Sequence, residues 1–217
     1  ASSALVRNVS NSLEDVENLL GTLVDISKLD AGVIKADIAP FALSELLENL
    51  AAEYAQVARS EGLELHFVAC SALVRSDIQL LARILRNLLS NAIRYTRQGR
   101  VVLGCRRQGR WLSIEVWDSG MGIAAERLEE IFQEFKRGEE QRPDQDRGLG
   151  LGLAIVEKIA GILGHRIGVR SWPGRGSVFS VQVPISASAP LPAPRPELGD
   201  ALLERLQGAR IWVLDND

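Results

Sequence analysis

The sequence predicts an α/β chain: a two-layer α+β sandwich in which a mixed sheet carries three main helices on one face, preceded by a long helix. Strand-like alternation recurs from residue 63 to 183. Helical periodicity interrupts it three times, with turn residues between the runs. A 46% hydrophobic and 24% charged composition over 217 residues supplies a core and excludes a disordered tail, a collagen-like repeat or a disulfide scaffold.

The first element is a helix over residues 5–30. Val6, Val9, Leu13, Val16, Leu20 and Leu23 recur at spacings of three and four, and Leu19, Ile26 and Leu29 widen the stripe. Gly32 stops it. Such a stripe needs a partner, either its own domain or a second copy in a four-helix bundle. Ile34–Ala39 reads as an edge strand. Ser44 is placed to cap a helix that runs to about Ser60 and ends at Gly62. Leu63–Cys70 alternates as a strand. Ser76 and Gln79 have the spacing of a capping box for a helix reaching Tyr95.

Arg100–Arg106 and Trp111–Trp117 form a hairpin about Gln108–Gly109. Ala124–Phe135 reads as helical, and residues 136–147 as a polar loop with Pro143 near its middle. Leu149–Leu163 is a helix entered through glycines. Ile167–Ser171 and Ser177–Val183 close the sheet as a hairpin about Pro173–Gly174. The segment 184–196 holds five of the eight prolines and reads as a stiff linker. A short helix over 198–206 follows, then ARIWVLDND, a hydrophobic strand with no partner in the sequence. The chain is therefore expected to be a piece of a longer protein.

A net charge of −3 and a pI near 5.6 give no basic field for nucleic acid. The longest uncharged run, Gly176 to Pro194, holds four prolines and several serines and so cannot span a membrane. Cys70 and Cys105 stand far apart in strand-like runs and read as two reduced core thiols of a cytoplasmic protein.

No GxxxxGK[ST] loop is present. The glycines Gly148, Gly150 and Gly152 (GLGLGL) open a helix without following a strand, so they fail the context of a dinucleotide fold. Their significance comes from the motifs before them. Asn87 and Asn91 occur in RNLLSNAIRYT, one turn apart on a helix. Asp118, Gly120 and Gly122 follow in DSGMGI after an apolar strand, and Phe132 and Phe135 sit in IFQEFKR.

In this order the four motifs resemble the N, G1, F and G2 boxes of the ATP-binding domain of sensor histidine kinases, over roughly residues 35–184. The resemblance implies the Bergerat ATP-binding fold with ATP and Mg²⁺ as ligands. It gives Asn91 a magnesium role, suited to a hard oxygen donor, with Asn87 as a neighbouring metal or phosphate contact. Arg94 and Tyr95 match positions flanking phosphates and base. Asp118 accepts only, so it suits the adenine 6-amino group and rejects guanine. Gly120, Gly122 and Ile123 line the base. Gly148, Leu149, Gly150, Leu151 and Gly152 offer backbone amides to phosphates at a helix N-terminus. Residues 136–152 are expected to act as a lid, docked by Phe135 or Phe132, with Arg137 as a phosphate contact. Ser177 matches a hydroxyl that helps hold the aspartate through water.

By the same resemblance, residues 5–30 are similar to the second helix of a dimerisation and phosphotransfer hairpin, implying a homodimer. ARIWVLDND is similar to the first strand of a receiver, as in hybrid kinases, which implies a response regulator or receiver as partner. The full-length protein of such a family can be membrane-anchored. Neither His66 nor His165 has the surroundings of a phosphoryl acceptor, so the chain is expected to serve the donor half of the reaction only. Two alternatives stay open: an ATPase of the gyrase and chaperone type, and an ATP-binding adaptor that dimerises with another kinase. The first is disfavoured because the helix after Asp77 carries no acid to activate water.

Overall fold

A computed structural model describes residues 32–133 and 150–186, together with the isolated positions Val24 and Ser27. The elements are β1 (Ala39–Ala42), α1 (Leu43–Ser60), β2 (Glu64–Phe67), β3 (Leu73–Ser76), α2 (Ile78–Arg94), β4 (Arg100–Gln108) and β5 (Trp111–Asp118). A 3₁₀ turn (Ala125–Arg127), α3 (Gly152–Leu163), β6 (Arg166–Trp172) and β7 (Gly176–Pro184) complete them.

Five strands form one mixed sheet in the order β2-β4-β5-β7-β6. β2 runs parallel to β4, and every other pairing is antiparallel. β1 and β3 make a separate antiparallel ribbon, joined to the end of β7 by a bridge between Val74 and Ile185. This mixed sheet with helices is the architecture expected from the sequence.

Alternation decides which face the helices cover. Val101 and Leu103 of β4, Leu112, Ile114 and Val116 of β5, and Phe179, Val181 and Val183 of β7 share one buried cluster with the helices. α2 contributes most, with Leu81, Ile84, Leu85, Leu88 and Leu89 all fully buried. It packs against both α1 and α3. Each such side chain contributes about 1.5–3 kcal/mol relative to exposure, so α2 is anchored along its length. Asp118 continues the inward series Leu112, Ile114, Val116, and its carboxylate therefore lies on the helical side of the sheet.

Four local expectations need correction. The segment 34–39 is not a strand; pairing begins only at Ala39, and the amide of Asp37 instead donates to Asp77 Oδ2 at 2.9 Å. α1 starts at Leu43 without a side-chain cap; the Leu43 amide takes the Ala72 carbonyl at 2.9 Å, so Ser44 is not needed. The cap of α2 is Asp77, whose Oδ1 accepts from Gln79 N at 2.9 Å and Leu80 N at 3.0 Å. Ser76, still in β3, points inward and bonds His165 Nε2 at 2.7 Å.

The fourth concerns 124–135. Its described part, up to Gln133, is the 3₁₀ turn followed by further turns and not an α-helix. Only Ile131 and Phe132 of the stretch after Ala124 pack on the core, and two adjacent residues make no helical stripe. Of the expected helix over 5–30 only Val24 and Ser27 are described, both helical and exposed; the linker beyond residue 186, the short helix over 198–206 and the terminal strand lie outside the described residues.

Candidate functional site

The site is built where the inward alternation of β5 runs out. Asp118 is the last residue of that strand, paired with Ser177 across β7. Its Oδ1 accepts the Gly120 amide at 2.8 Å, and the Ser177 amide also donates to the carboxylate. Burial nevertheless dominates and raises the Asp118 carboxyl above the usual aspartate range, the two backbone bonds only partly offsetting it. A half-buried acceptor with few protein partners is suited to taking a hydrogen bond from a ligand amino group.

The loop after Asp118 is held by backbone. Met121 N donates to the carbonyl of Tyr95, the C-cap of α2, at 3.4 Å, and Gly174 N donates to Met121 O at 2.7 Å. The close approaches explain the glycines. At Gly122 (φ 69°) a Cβ would collide with the Trp172 carbonyl, and at Gly120 with the Tyr95 carbonyl. Gly176 (φ 111°) leaves room for the Asp118 carbonyl. The DSGMGI loop is thereby wedged between the end of α2 and the β6–β7 turn.

Ser171 was not foreseen. Its Oγ accepts the Ile123 amide at 2.7 Å, reaches the Gly176 carbonyl at 3.2 Å and lies 2.8 Å from Ser177 Oγ. One hydroxyl thus links the loop carrying Gly120 and Gly122 to the strand pairing with Asp118. A serine inside an alternating strand has no distinguishing sequence signal. Its inward position opposite Ser177, in a hairpin whose turn is glycine-rich, is the only clue.

A second group of candidate residues stands on α2 and at the start of α3, which pack together. Asn87 Nδ2 donates to the Arg83 carbonyl at 2.9 Å, which aims Oδ1 away from its own helix. That oxygen would stand 3.1 Å from a Cβ at Gly152, and Asn91 Nδ2 would stand 3.9 Å from the same point. The first residue of α3 is therefore seated against both asparagines, and a side chain there would press on Asn87 Oδ1. No side chain caps α3, and its first turn carries no acid. Its first amides keep the partial positive charge of a helix N-terminus. Gly150 (φ 68°) turns the chain into this helix, and Leu151 is buried beneath it.

The structure gathers Asp118, Gly120, Gly122, Ile123 and Ser177 about the end of β5, and Asn87, Asn91 and Gly152 where α2 meets α3. Tyr95 joins them through its carbonyl, while its side chain is exposed. Arg94 occupies the last turn of α2. Phe135, Arg137, Gly148 and Leu149 lie outside the described residues. His66 sits on an exposed strand beside Glu64 at 3.0 Å, and His165 is buried against Ser76. Both occupy structural positions.

Comparison with known proteins agrees with this geometry. Residues 76–187 match the family described as histidine kinase-, DNA gyrase B-, and HSP90-like ATPase. Sensor protein GacS of Pseudomonas syringae pv. syringae is 32% identical over 96% of this chain, which spans 23% of its length. Sensor histidine kinase RcsC of Escherichia coli K12 is likewise 32% identical over 96% of the chain, spanning 22% of its length. The crystal structure of full-length ShkA in complex with AMPPNP superimposes with a TM-score of 0.73 at 27% identity, covering 85% of this chain and 40% of that one. The chain thus spans about a quarter of the curated relatives it matches. Among the described residues no helix is long and apolar enough to cross a membrane. The domain that joins Asp118 to the Asn87–Gly152 contact belongs to the histidine kinase-, DNA gyrase B-, and HSP90-like ATPase family.

Proposed function

We propose that this chain is the ATP-binding core of a hybrid sensor histidine kinase, donating the γ-phosphoryl group of ATP to a histidine supplied by a dimerisation hairpin. The observation that carries this is a half-buried carboxylate at the end of β5 in a domain that also seats an uncapped helix N-terminus on two asparagines. The first suits a purine amino group and the second suits phosphates.

In this reading Asp118 accepts from the adenine 6-amino group, and its partly desolvated setting strengthens that bond. Gly120 and Gly122 keep side chains away from the base. The amides at the start of α3 bind phosphate oxygens, aided by the helix dipole. The side-chain oxygens of Asn91 and Asn87 fit Mg²⁺, which prefers hard oxygen donors and retains several waters. When bound, Mg²⁺ neutralises triphosphate charge and helps orient the γ-phosphoryl group. The chain's own work is positioning and charge complementarity, with Arg94 and Arg137 on the phosphates, Tyr95 and Ile123 beside the base, and Ser177 supporting Asp118. Phe135 docks the lid formed by residues 136–152, and Gly148, Leu149, Gly150 and Leu151 shape its hinge.

No acidic residue lies on α2 after Asp77, so the helix supplies no general base for water, which favours the kinase over an ATPase. The whole protein is read as a cytoplasmic-facing homodimer through residues 5–30, passing its phosphoryl group to a receiver or response regulator. The test is incubation of the chain with Mg²⁺, γ-labelled ATP and a separately prepared acceptor hairpin. Label on the hairpin histidine is the expected result. Steady release of free phosphate with an unlabelled hairpin would instead assign an ATPase, and neither product an adaptor.

A further inference from the structure

The two cysteines, 35 positions apart in sequence, meet in space. β2 ends its parallel ladder at the Phe67–Leu103 pair, and the chain continues alongside β4 for one more bond, Val68 N to Leu103 O at 2.9 Å. Cys70 follows in the bend beyond, and Cys105 is the next inward residue of β4 after Leu103. The bend is pinned on its far side, since Ala72 O accepts Leu43 N at 2.9 Å and Leu73 O accepts Ser186 N at 2.8 Å. A segment tied at both ends holds its thiol in place. Both thiols border the same core cluster, and each acts on the ionisation of the other. Both side chains are half-buried and lie at the margin of the core, not in its centre.

We propose that Cys70 and Cys105 form a peroxide-sensitive dithiol that closes to an intramolecular disulfide. Cys70 is the attacking thiol. The neighbouring Cys105 and the Ala72 backbone lower it below an ordinary cysteine against the opposing effect of burial, whereas Cys70, burial and nearby Glu115 hold Cys105 well above. The Cys70 thiolate attacks one oxygen of hydrogen peroxide, the O–O bond breaks, and the departing oxygen leaves as water with the thiol proton. The Cys105 sulfur then attacks the Cys70 sulfenic acid, and the second oxygen leaves as water with the Cys105 proton. Two thiols are oxidised by two electrons in total and one peroxide is reduced to two waters. The new bond staples the β2–β3 bend to β4 and closes a loop of about 35 residues, which raises the melting temperature by roughly 5–10 °C.

The test treats the 217-residue chain with hydrogen peroxide, alkylates remaining thiols and maps the peptides by mass spectrometry. Expected are loss of both alkylation sites, a Cys70–Cys105 linked peptide two mass units lighter than the thiol pair, and full reversal by dithiothreitol. Cys105→Ser should leave Cys70 as a sulfenic acid that dimedone captures, and Cys70→Ser should leave Cys105 reduced. A disulfide between two chains, sulfinate on Cys70 with Cys105 still alkylated, or two unreacted thiols would each overturn the proposal. The wild-type peptide map decides it even if a serine variant fails to fold.

Discussion

Ser171 Oγ accepts the amide of Ile123 at 2.7 Å, in the loop that follows Asp118. This bond and the Ser171–Ser177 contact at 2.8 Å tie three segments of the nucleotide wall to one hydroxyl. Ser171 touches no ligand in the proposed reading and acts by positioning the loop. Ser171→Ala leaves the Ile123 amide unpaired, at a cost of about 1–2 kcal/mol. ATP affinity should fall roughly 5- to 30-fold by calorimetry, and Ser171→Thr, which keeps the hydroxyl, should restore most of it.

Gly122→Ala and Gly176→Ala should each destabilise the domain by more than about 2 kcal/mol. Both combine a positive φ with a Cβ driven into a carbonyl, of Trp172 and Asp118 respectively. Gly109→Ala and Gly174→Ala meet nothing within 4 Å, and only the backbone term of about 1 kcal/mol remains for them. Urea midpoints of the four variants separate the two classes.

In the proposed reading Asp118 makes nucleotide binding pH-dependent. Burial raises its carboxyl above 3.8 in the folded chain. The folded state therefore holds its proton more tightly than the unfolded one, and the associated stability, full at low pH, is lost as pH rises through the raised value. Binding runs the other way, since only the carboxylate accepts without donating. ATP affinity should drop as pH falls through that value, while Asp118→Asn should bind weakly at every pH and be at least as stable as wild type.

His165 responds with the opposite sign of proton uptake. Its Nε2 bonds Ser76 at 2.7 Å, and its buried Nδ1 meets no hydrogen-bond partner among the described residues. Burial holds it below 6.5, so between that value and its folded value the unfolded chain binds more protons. Stability is full above about pH 6.5 and declines as pH falls toward the folded value. Melting temperature scanned downward from neutral pH should show this loss, and His165→Gln should flatten it.

Removing the cap of α2 tests the support under Asn87 and Asn91. Asp77→Ala strips acceptors from Gln79 N, Leu80 N and Asp37 N together. It should cost about 1–2 kcal/mol, and Ser76→Ala should leave the helix start intact while disturbing His165.

Long periodic elements were legible because their side chains alone define a face: α2 and the β4–β5 and β6–β7 hairpins emerge within a residue or two of expectation. Short-range choices were not. Ser76 has the spacing of a cap in sequence, but its partner across 89 residues, His165, draws it inward and Asp77 caps instead. Residues 34–39 have strand-like content, yet the Asp37 amide finds a carboxylate instead of a ladder. The motif glycines were visible by spacing, but Ser171 and the Cys70–Cys105 contact depend on tertiary neighbours that no local pattern encodes.

Calorimetric titration of the chain and of Asp118→Asn with Mg·ATP and Mg·GTP tests the central claim most directly. ATP should bind the wild type, GTP should not, and the asparagine variant should lose affinity for ATP about 10- to 150-fold. Equal heats from both nucleotides, or an unaltered ATP isotherm in Asp118→Asn, would contradict it.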